Sequence, residues 1–200
     1  MFYNFACKLV RFILFFIFRI RVVGKENVPM NQRAILAVNH RSNWDVVVAG
    51  AVCPRQLTFM AKAELFEKPF LGGLIRHLGA FPIQRGKGDI GAIKTALTVL
   101  GQERMLLMFP EGRRVKNEAE SVHAKTGVAM LSHRARAQII PTYISGKYRW
   151  MSRITVTFGK PVEFSELYGS KVDAQKLQEL SDQVLEAIRS YKSELRRNGN

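Results

Sequence analysis

Acidic residues are scarce in this chain: 16 Asp+Glu face 31 Lys+Arg over 200 residues, a net charge of +15. An excess of that size points to an anionic partner, whether a phosphate-bearing substrate, an anionic membrane or nucleic acid. Cysteine is scarcer still. Cys7 and Cys53 stand alone, in no CxxC or metal-type spacing, which argues against a disulfide framework and for a reducing compartment. No HExxH, GxSxG, GxGxxG or GxxxxGK[ST] pattern occurs, so zinc hydrolysis, serine-nucleophile chemistry, dinucleotide binding and P-loop chemistry lack their usual marks. No metal site is expected. Repeats, low-complexity tracts and Pro/Gly/Ser-rich linkers are also missing, and 47% hydrophobic residues suffice for one domain with a sizeable core.

The N-terminal stretch MFYNFACKLVRFILFFIFRIRVV lacks the features of two familiar segments. No small-residue cleavage site comes after it, which disfavours a signal peptide. Lys8, Arg11 and Arg19 interrupt the roughly 20 apolar residues that a membrane span requires. On a helical wheel Asn4, Lys8, Arg11 and Arg19 fall within about 80° of one another, with Phe, Ile, Leu and Val around the rest. Residues 1–22 are therefore expected to form an amphipathic membrane-interface helix, its cations near anionic headgroups. The alternative is a helix packed on its own domain. Six phenylalanines among the first eighteen residues favour the membrane.

Residues 23–200 read as the remaining domain. Apolar runs RVVG, AILAVN, LTFMA, AFPIQ, MLLMFP, QIIPTYI and RITVTFG alternate with helical patterns near Trp44–Val52, Pro69–Leu78, Asp89–Leu100 and Ala119–Ala135. Several runs are apolar at consecutive positions, as strands covered on both faces are. The expected fold is a single α/β domain with a central mixed, largely buried sheet flanked by helices, plus the N-terminal membrane-associated helix. A closing amphipathic helix places Leu177, Leu180, Val184, Ile188 and Tyr191 on one face.

Polar motifs fall just after strands, the position at which open α/β sheets bind ligands. NHRSNWD follows AILAV, QRGKGD follows AFPI, and PEGRR follows MLLMF; the three line one cleft if those strand ends share an edge. His40 and Asp45 are five residues apart, about 140° on a helix and on opposite faces of a strand. They meet only across a bend, and a helix starting near Trp44, capped by Ser42 or Asn43, supplies one. A carboxylate on one ring nitrogen fixes the tautomer and leaves the other nitrogen as a base. By itself this spacing also arises by chance. Arg85 and Lys87 lie among glycines where an oxyanion can be surrounded, or in a plain basic surface turn. Glu111 beside Arg113 and Arg114 suggests an ion pair that leaves guanidinium donors for a phosphate, or charges that merely pair in solvent. Lys62 is a further cation at a strand end. AKTGVAMLSHRARAQIIPTYISG reads as pocket wall, and His77, His123 and His133 have no spaced partners.

The ordered set VVGKENVP, NHRSNWD, FMAKAELF, GAFPIQRG, FPEGRR, KTGVAML and IIPTYISG resembles the glycerophosphate acyltransferase (HxxxxD) superfamily, and within it the bacterial 1-acyl-sn-glycerol-3-phosphate acyltransferases, over nearly the whole chain. The resemblance implies His40 as general base, Asp45 as its orienting partner, Arg85 as a phosphate-binding residue, and Glu111, Gly112 and Arg114 as acceptor-binding residues, with Lys62 in support. Arg113 and Val115 replace a usual Thr and Ser. It implies acyl transfer from acyl-CoA or acyl-ACP, as co-substrate and without a cofactor, to the sn-2 hydroxyl of lysophosphatidate. It further implies a peripheral or monotopic place at the cytoplasmic face of the membrane, on anionic lipids, with no nucleic acid as partner. Another lysophospholipid or glycerol 3-phosphate as acceptor, thioester hydrolysis, and a non-catalytic basic binding protein are the alternatives.

Overall fold

The computed structural model describes residues 2–84, 89–115 and 122–197. Each apolar run forms a strand within a residue or two of its expected bounds: β1 Arg19–Val23, β2 Ala34–Val38, β3 Leu57–Lys62, β4 Ala80–Ile83, β5 Met105–Met108, β6 Gln138–Ser145 and β7 Arg153–Phe158. They join in one sheet in the order β1-β7-β6-β2-β5-β3-β4. β6, β2, β5, β3 and β4 run parallel, while β7 pairs antiparallel to β6 and parallel to β1. The sheet is therefore mixed. Its centre is β2, whose five residues are all buried, as expected of a strand with helices over both faces.

The helices are α1 Phe2–Ile17, α2 Trp44–Val52, α3 Leu71–His77, α4 Ile90–Gly101, α5 Gly127–Ala135 and α6 Ala174–Arg197. On one face of the sheet Leu14, Val48, Ala51 and Val52 of α1 and α2 pack with Leu36, Ile140 and Val156. On the other, Ala96 and Leu100 of α4, Leu131 of α5 and Val184 and Ile188 of α6 pack with Ile35, Leu106 and Ile139. Helix α5 starts at Gly127, not in the region of Ala119. Residues 116–121 lie outside the described residues, and 122–125 are held non-helical, with the Ala124 N–H on Asp182 Oδ1 and the Lys125 N–H on the Pro110 carbonyl.

The N-terminal helix ends at Ile17, short of the expected residue 22, because the sheet captures the residues from Arg19 onward. The Arg19 N–H donates to the Ser152 carbonyl at 2.9 Å, and Arg19–Val23 then pairs along Arg153–Thr157. Arg19 thus belongs to the sheet. Arg11, expected at lipid headgroups, instead donates through Nε and Nη2 to the Ala51 carbonyl at 2.9 and 2.6 Å, where the C-terminal end of α2 favours a cation. Helix α1 packs on the domain along one face and exposes phenylalanines on the other. Leu14 is buried and Val10 and Ile17 pack on the core, while Phe12 and Phe15 are 63% and 74% exposed on the opposite side. No helix among the described residues is long and apolar enough to cross a membrane.

Gly24 closes the β1 turn at φ +74°, and a Cβ there would stand 2.1 Å from the backbone oxygen of Phe158. Both the left-handed backbone and the contact oppose any side chain. Gly24→Ala is expected to lower stability by about 2–4 kcal/mol, read as a fall in the urea midpoint at unchanged slope.

Candidate active site

β2, β4 and β5 run in one direction, so NHRSNWD, QRGKGD and FPEGRR leave the sheet at the same edge. β2 and β5 are neighbours, and their loops touch. β4 lies three strand spacings from β2, about 14 Å. Arg85 and Lys87 fall in 85–88, outside the described residues; on either side, Asp89 accepts from the Gln84 N–H at 2.8 Å and from the Ala92 N–H at 2.9 Å.

His40 and Asp45 meet. Nδ1 of His40 is 3.1 Å from Asp45 Oδ2, both side chains buried. Because a carboxylate only accepts, Nδ1 carries the proton and Nε2 is left unprotonated in the neutral ring. The expected cap is present at Ser42, whose Oγ accepts from the Trp44 N–H at 3.3 Å, and Asp45 adds to it. Asn43 occupies the N-cap position of α2 without a side-chain cap bond. Asp45, in the first turn, reaches back to accept from the N–H groups of Arg41 and Ser42 at 2.6 and 2.7 Å. The carboxylate that orients the histidine is also what folds the turn.

Burial alone would raise the Asp45 carboxyl, but donors from His40, Tyr148, Ser42 and Arg41 outweigh it and hold the group below its ordinary value of 3.8. Tyr148 Oη donates to Asp45 Oδ1 at 2.6 Å. Sequence reasoning missed this residue, which is 103 positions away. Asn39, also missed, mimics a strand residue: its Oδ1 accepts from the Ile144 N–H at 2.7 Å and its Nδ2 donates to the Ile144 carbonyl at 3.1 Å.

The FPEGRR loop wraps around the His40 backbone. Glu111, buried, accepts the His40 N–H on Oε2 at 2.7 Å, and the Val115 N–H donates to the His40 carbonyl at 2.7 Å. Burial raises the Glu111 carboxyl above its ordinary value despite that N–H and the charge of Arg189. Glu111 therefore holds the histidine in place from behind. Val115 contributes its backbone and a buried side chain, so a valine at the usual serine position costs this contact nothing. Phe109 stacks on the His40 ring at 3.9 Å between centroids. Gly112 turns the loop at φ +66°, with a would-be Cβ 2.9 Å from Lys125 Cγ.

His40 opens on a cavity of about 680 Å³. Its walls are apolar: Val10 of α1, Val46 and Val47 of α2, Phe59 and Met60 of β3, and Leu71, Leu74 and Ile75 of α3. Lys62 and Arg114 join His40 in the lining. The structure thus brings His40, Asp45, Glu111, Gly112, Lys62 and Arg114 to one end of the sheet. Among the described residues no group of His, Cys, Asp and Glu is arranged to hold a metal.

Asp45→Asn leaves one acceptor where a carboxylate served several donors and turns an amide N–H₂ toward one of them. A loss of about 2–4 kcal/mol is expected at neutral pH. Because the folded carboxyl sits below 3.8, its contribution is complete above that value and is lost as pH falls through the lowered folded value. The gap between wild type and variant in urea melts should be wide near pH 7 and close in strong acid.

The chain has relatives among known proteins. The family described as Acyltransferase matches residues 19–145. The 1-acyl-sn-glycerol-3-phosphate acyltransferase of Streptococcus pneumoniae is 35% identical over 150 residues, 71% of this chain and 55% of that protein. The Bacillus subtilis enzyme of the same name is 29% identical over 145 residues, 72% of this chain and 71% of that one. This chain therefore spans only about half the length of the first of these relatives. The crystal structure of the 1-acyl-sn-glycerophosphate acyltransferase PlsC from Thermotoga maritima shares the fold, with a TM-score of 0.72 at 18% identity, covering 96% of this chain and 80% of that one. With a match across more than half its length, from the first strand through the loop pair around His40 to the end of the sixth strand, the chain belongs to the Acyltransferase family.

Proposed function

We propose that the protein transfers an acyl chain from an acyl thioester, acyl-CoA or acyl-ACP, to the sn-2 hydroxyl of lysophosphatidate, giving phosphatidate. The observation that carries this reading is the buried His40–Asp45 pair at the wall of an apolar cavity whose lining also holds Lys62 and Arg114. A cavity of about 680 Å³ lined by Val, Leu, Ile, Phe and Met suits an acyl chain. Two cations in the lining of the same cavity suit a phosphate, whose binding would bring the hydroxyl within reach of Nε2. The names of the Streptococcus and Bacillus relatives point the same way.

His40 Nε2 takes the proton of the acceptor hydroxyl as its oxygen bonds to the thioester carbonyl carbon. The imidazolium is stabilised by Asp45 through Nδ1. The oxyanion of the tetrahedral intermediate needs N–H donors. The Gly112 N–H is engaged by the Phe109 carbonyl, and at the start of α2 the Trp44 and Asp45 N–H groups are engaged by Ser42, so the Asn43 N–H, at the cavity wall, is the candidate donor there. The C–S bond then breaks and the leaving thiolate receives the proton from Nε2, so the ring ends as it began. No cofactor enters this scheme.

The outward phenylalanines of α1 and the excess of Lys+Arg support a peripheral position on anionic lipid at the cytoplasmic face, where acceptor and product both reside. The exposed aromatics concentrate on α1 and are not interleaved with the site cations, unlike a stacking platform for nucleic acid.

Purified full-length protein given lysophosphatidate and each thioester should form phosphatidate. His40→Ala should lower the rate by about 10²–10⁴-fold while the thermal melt stays cooperative. Retained activity in that variant, or thiol release independent of any acceptor, would sink the reading. Arg114→Ala should raise KM for lysophosphatidate roughly tenfold with a smaller change in kcat. A panel offering glycerol 3-phosphate and other lysophospholipids fixes the acceptor.

A further inference from the structure

We propose that Tyr148 is a positioning residue for the catalytic histidine: by donating to Asp45 Oδ1 it sets the carboxylate plane in which Oδ2 meets His40 Nδ1. Its effect on activity rests on the acyl-transfer reading; its effect on the Nδ1 proton does not.

The two carboxylate oxygens have separate partners. Oδ2 receives His40 Nδ1 and the N–H groups of Arg41 and Ser42. Oδ1 receives the tyrosine hydroxyl. At 2.6 Å that contact lies in the short range of an O–H donor on an ionised carboxylate. Without it the buried Oδ1 loses a strong partner, and rotation of the carboxylate costs less. Burial first, and then the charge of Asp45, push the Tyr148 hydroxyl well above its ordinary value, so it stays a neutral donor throughout the physiological range.

The ring cannot easily swing away. Tyr148 lies three residues beyond β6, in a loop tied down from both sides. Arg41 Nη2 donates to the carbonyls of Ile144 and Gly146 at 2.8 and 3.0 Å, and the Met151 N–H donates to the Ile17 carbonyl at 2.7 Å. Phe18, just past α1, meets the tyrosine ring edge-on at 5.6 Å between centroids, and Trp44 of α2 stacks on it at 6.4 Å. A residue that only filled this aromatic corner would need no hydroxyl. Here the hydroxyl reaches the buried carboxylate that is bonded to the histidine ring.

Among the described residues the charged groups around the pair include Arg41 in its own turn, Glu111 and Arg114 from the loop after β5, Arg189 of α6, whose charge reaches Glu111, and Lys62 at the end of β3. Tyr148→Phe alters none of them. In this variant kcat should fall about tenfold, the rate equivalent of one hydrogen bond to a charged group, with KM for both substrates within about twofold of wild type. The acid limb of the rate–pH profile should move to higher pH, because the Asp45 carboxyl loses one of the donors that hold it below its ordinary value. In an Asp45→Asn background Tyr148→Phe should cost little more, since its effect runs through that carboxylate. In proton NMR the His40 Nδ1–H should exchange with water faster in Tyr148→Phe than in wild type.

A full loss that persists in the Asp45→Asn background, or an Nδ1–H exchange rate unchanged by Tyr148→Phe, overturns the proposal. If wild type transfers no acyl group, the functional reading falls, and the exchange measurement still decides what the tyrosine does.

Discussion

Asp45 is fully buried and ionised, and the active end of the molecule is built around keeping it so. A carboxylate out of water is tolerated only when its oxygens are filled with donors. Two of these are N–H groups of the turn that precedes it, so the charge folds its own loop. Another is the histidine, and another a tyrosine brought in from the far end of β6. The geometry of the His40–Asp45 pair is thus a consequence of satisfying one buried charge. Withdrawing donors would weaken the turn and the base together.

The order of strands makes that satisfaction possible. β2, which delivers His40, has β5 on one side and β6 on the other, all three parallel. Their ends therefore emerge together. From β5 come Glu111 and Val115 to grip the His40 backbone and Phe109 to stack on its ring. From β6 come the Ile144 backbone, held by Asn39 and Arg41, and then Tyr148. Neither neighbouring loop is adjacent to NHRSNWD in sequence. Only the crossover connections place them beside it.

That dependence on crossovers explains what could be read beforehand. The strands were legible because runs such as AILAV and MLLM are apolar at consecutive positions, which suits a sheet covered on both faces. The His40–Asp45 bend was legible as a need, since no regular element brings those positions together; Ser42 caps the Trp44 N–H as expected, while the two bonds from Asp45 back to the turn were not foreseen. Glu111 was read as a partner for arginine. A glutamate beside two arginines gives no local hint that its carboxylate will turn inward to a backbone N–H seventy-one residues earlier. Tyr148 and Asn39 had no signal at all, because a single polar residue paired across the sheet leaves no periodic trace. The end of α1 was missed for a related reason: the apolar pattern continues past Ile17, and only pairing with β7 shows that the chain has changed from helix to strand.

The double face of α1 links the site to its surroundings. Val10 of this helix lines the cavity and Leu14 lies in the core, while Phe12 and Phe15 face outward. One helix is both a wall of the cavity and an exposed apolar face. If the protein acylates a lipid, an acyl chain leaving a bilayer would meet this helix before it met the base, and would pass from lipid to cavity with little apolar surface given to water. The cations would remain beside the histidine at the polar end of the substrate. Phe18, immediately after the same helix, packs on Tyr148 and Trp44. The residue that follows this helix is thereby in direct contact with the tyrosine that donates to Asp45, so how α1 is seated and how that carboxylate is held are parts of one packing arrangement.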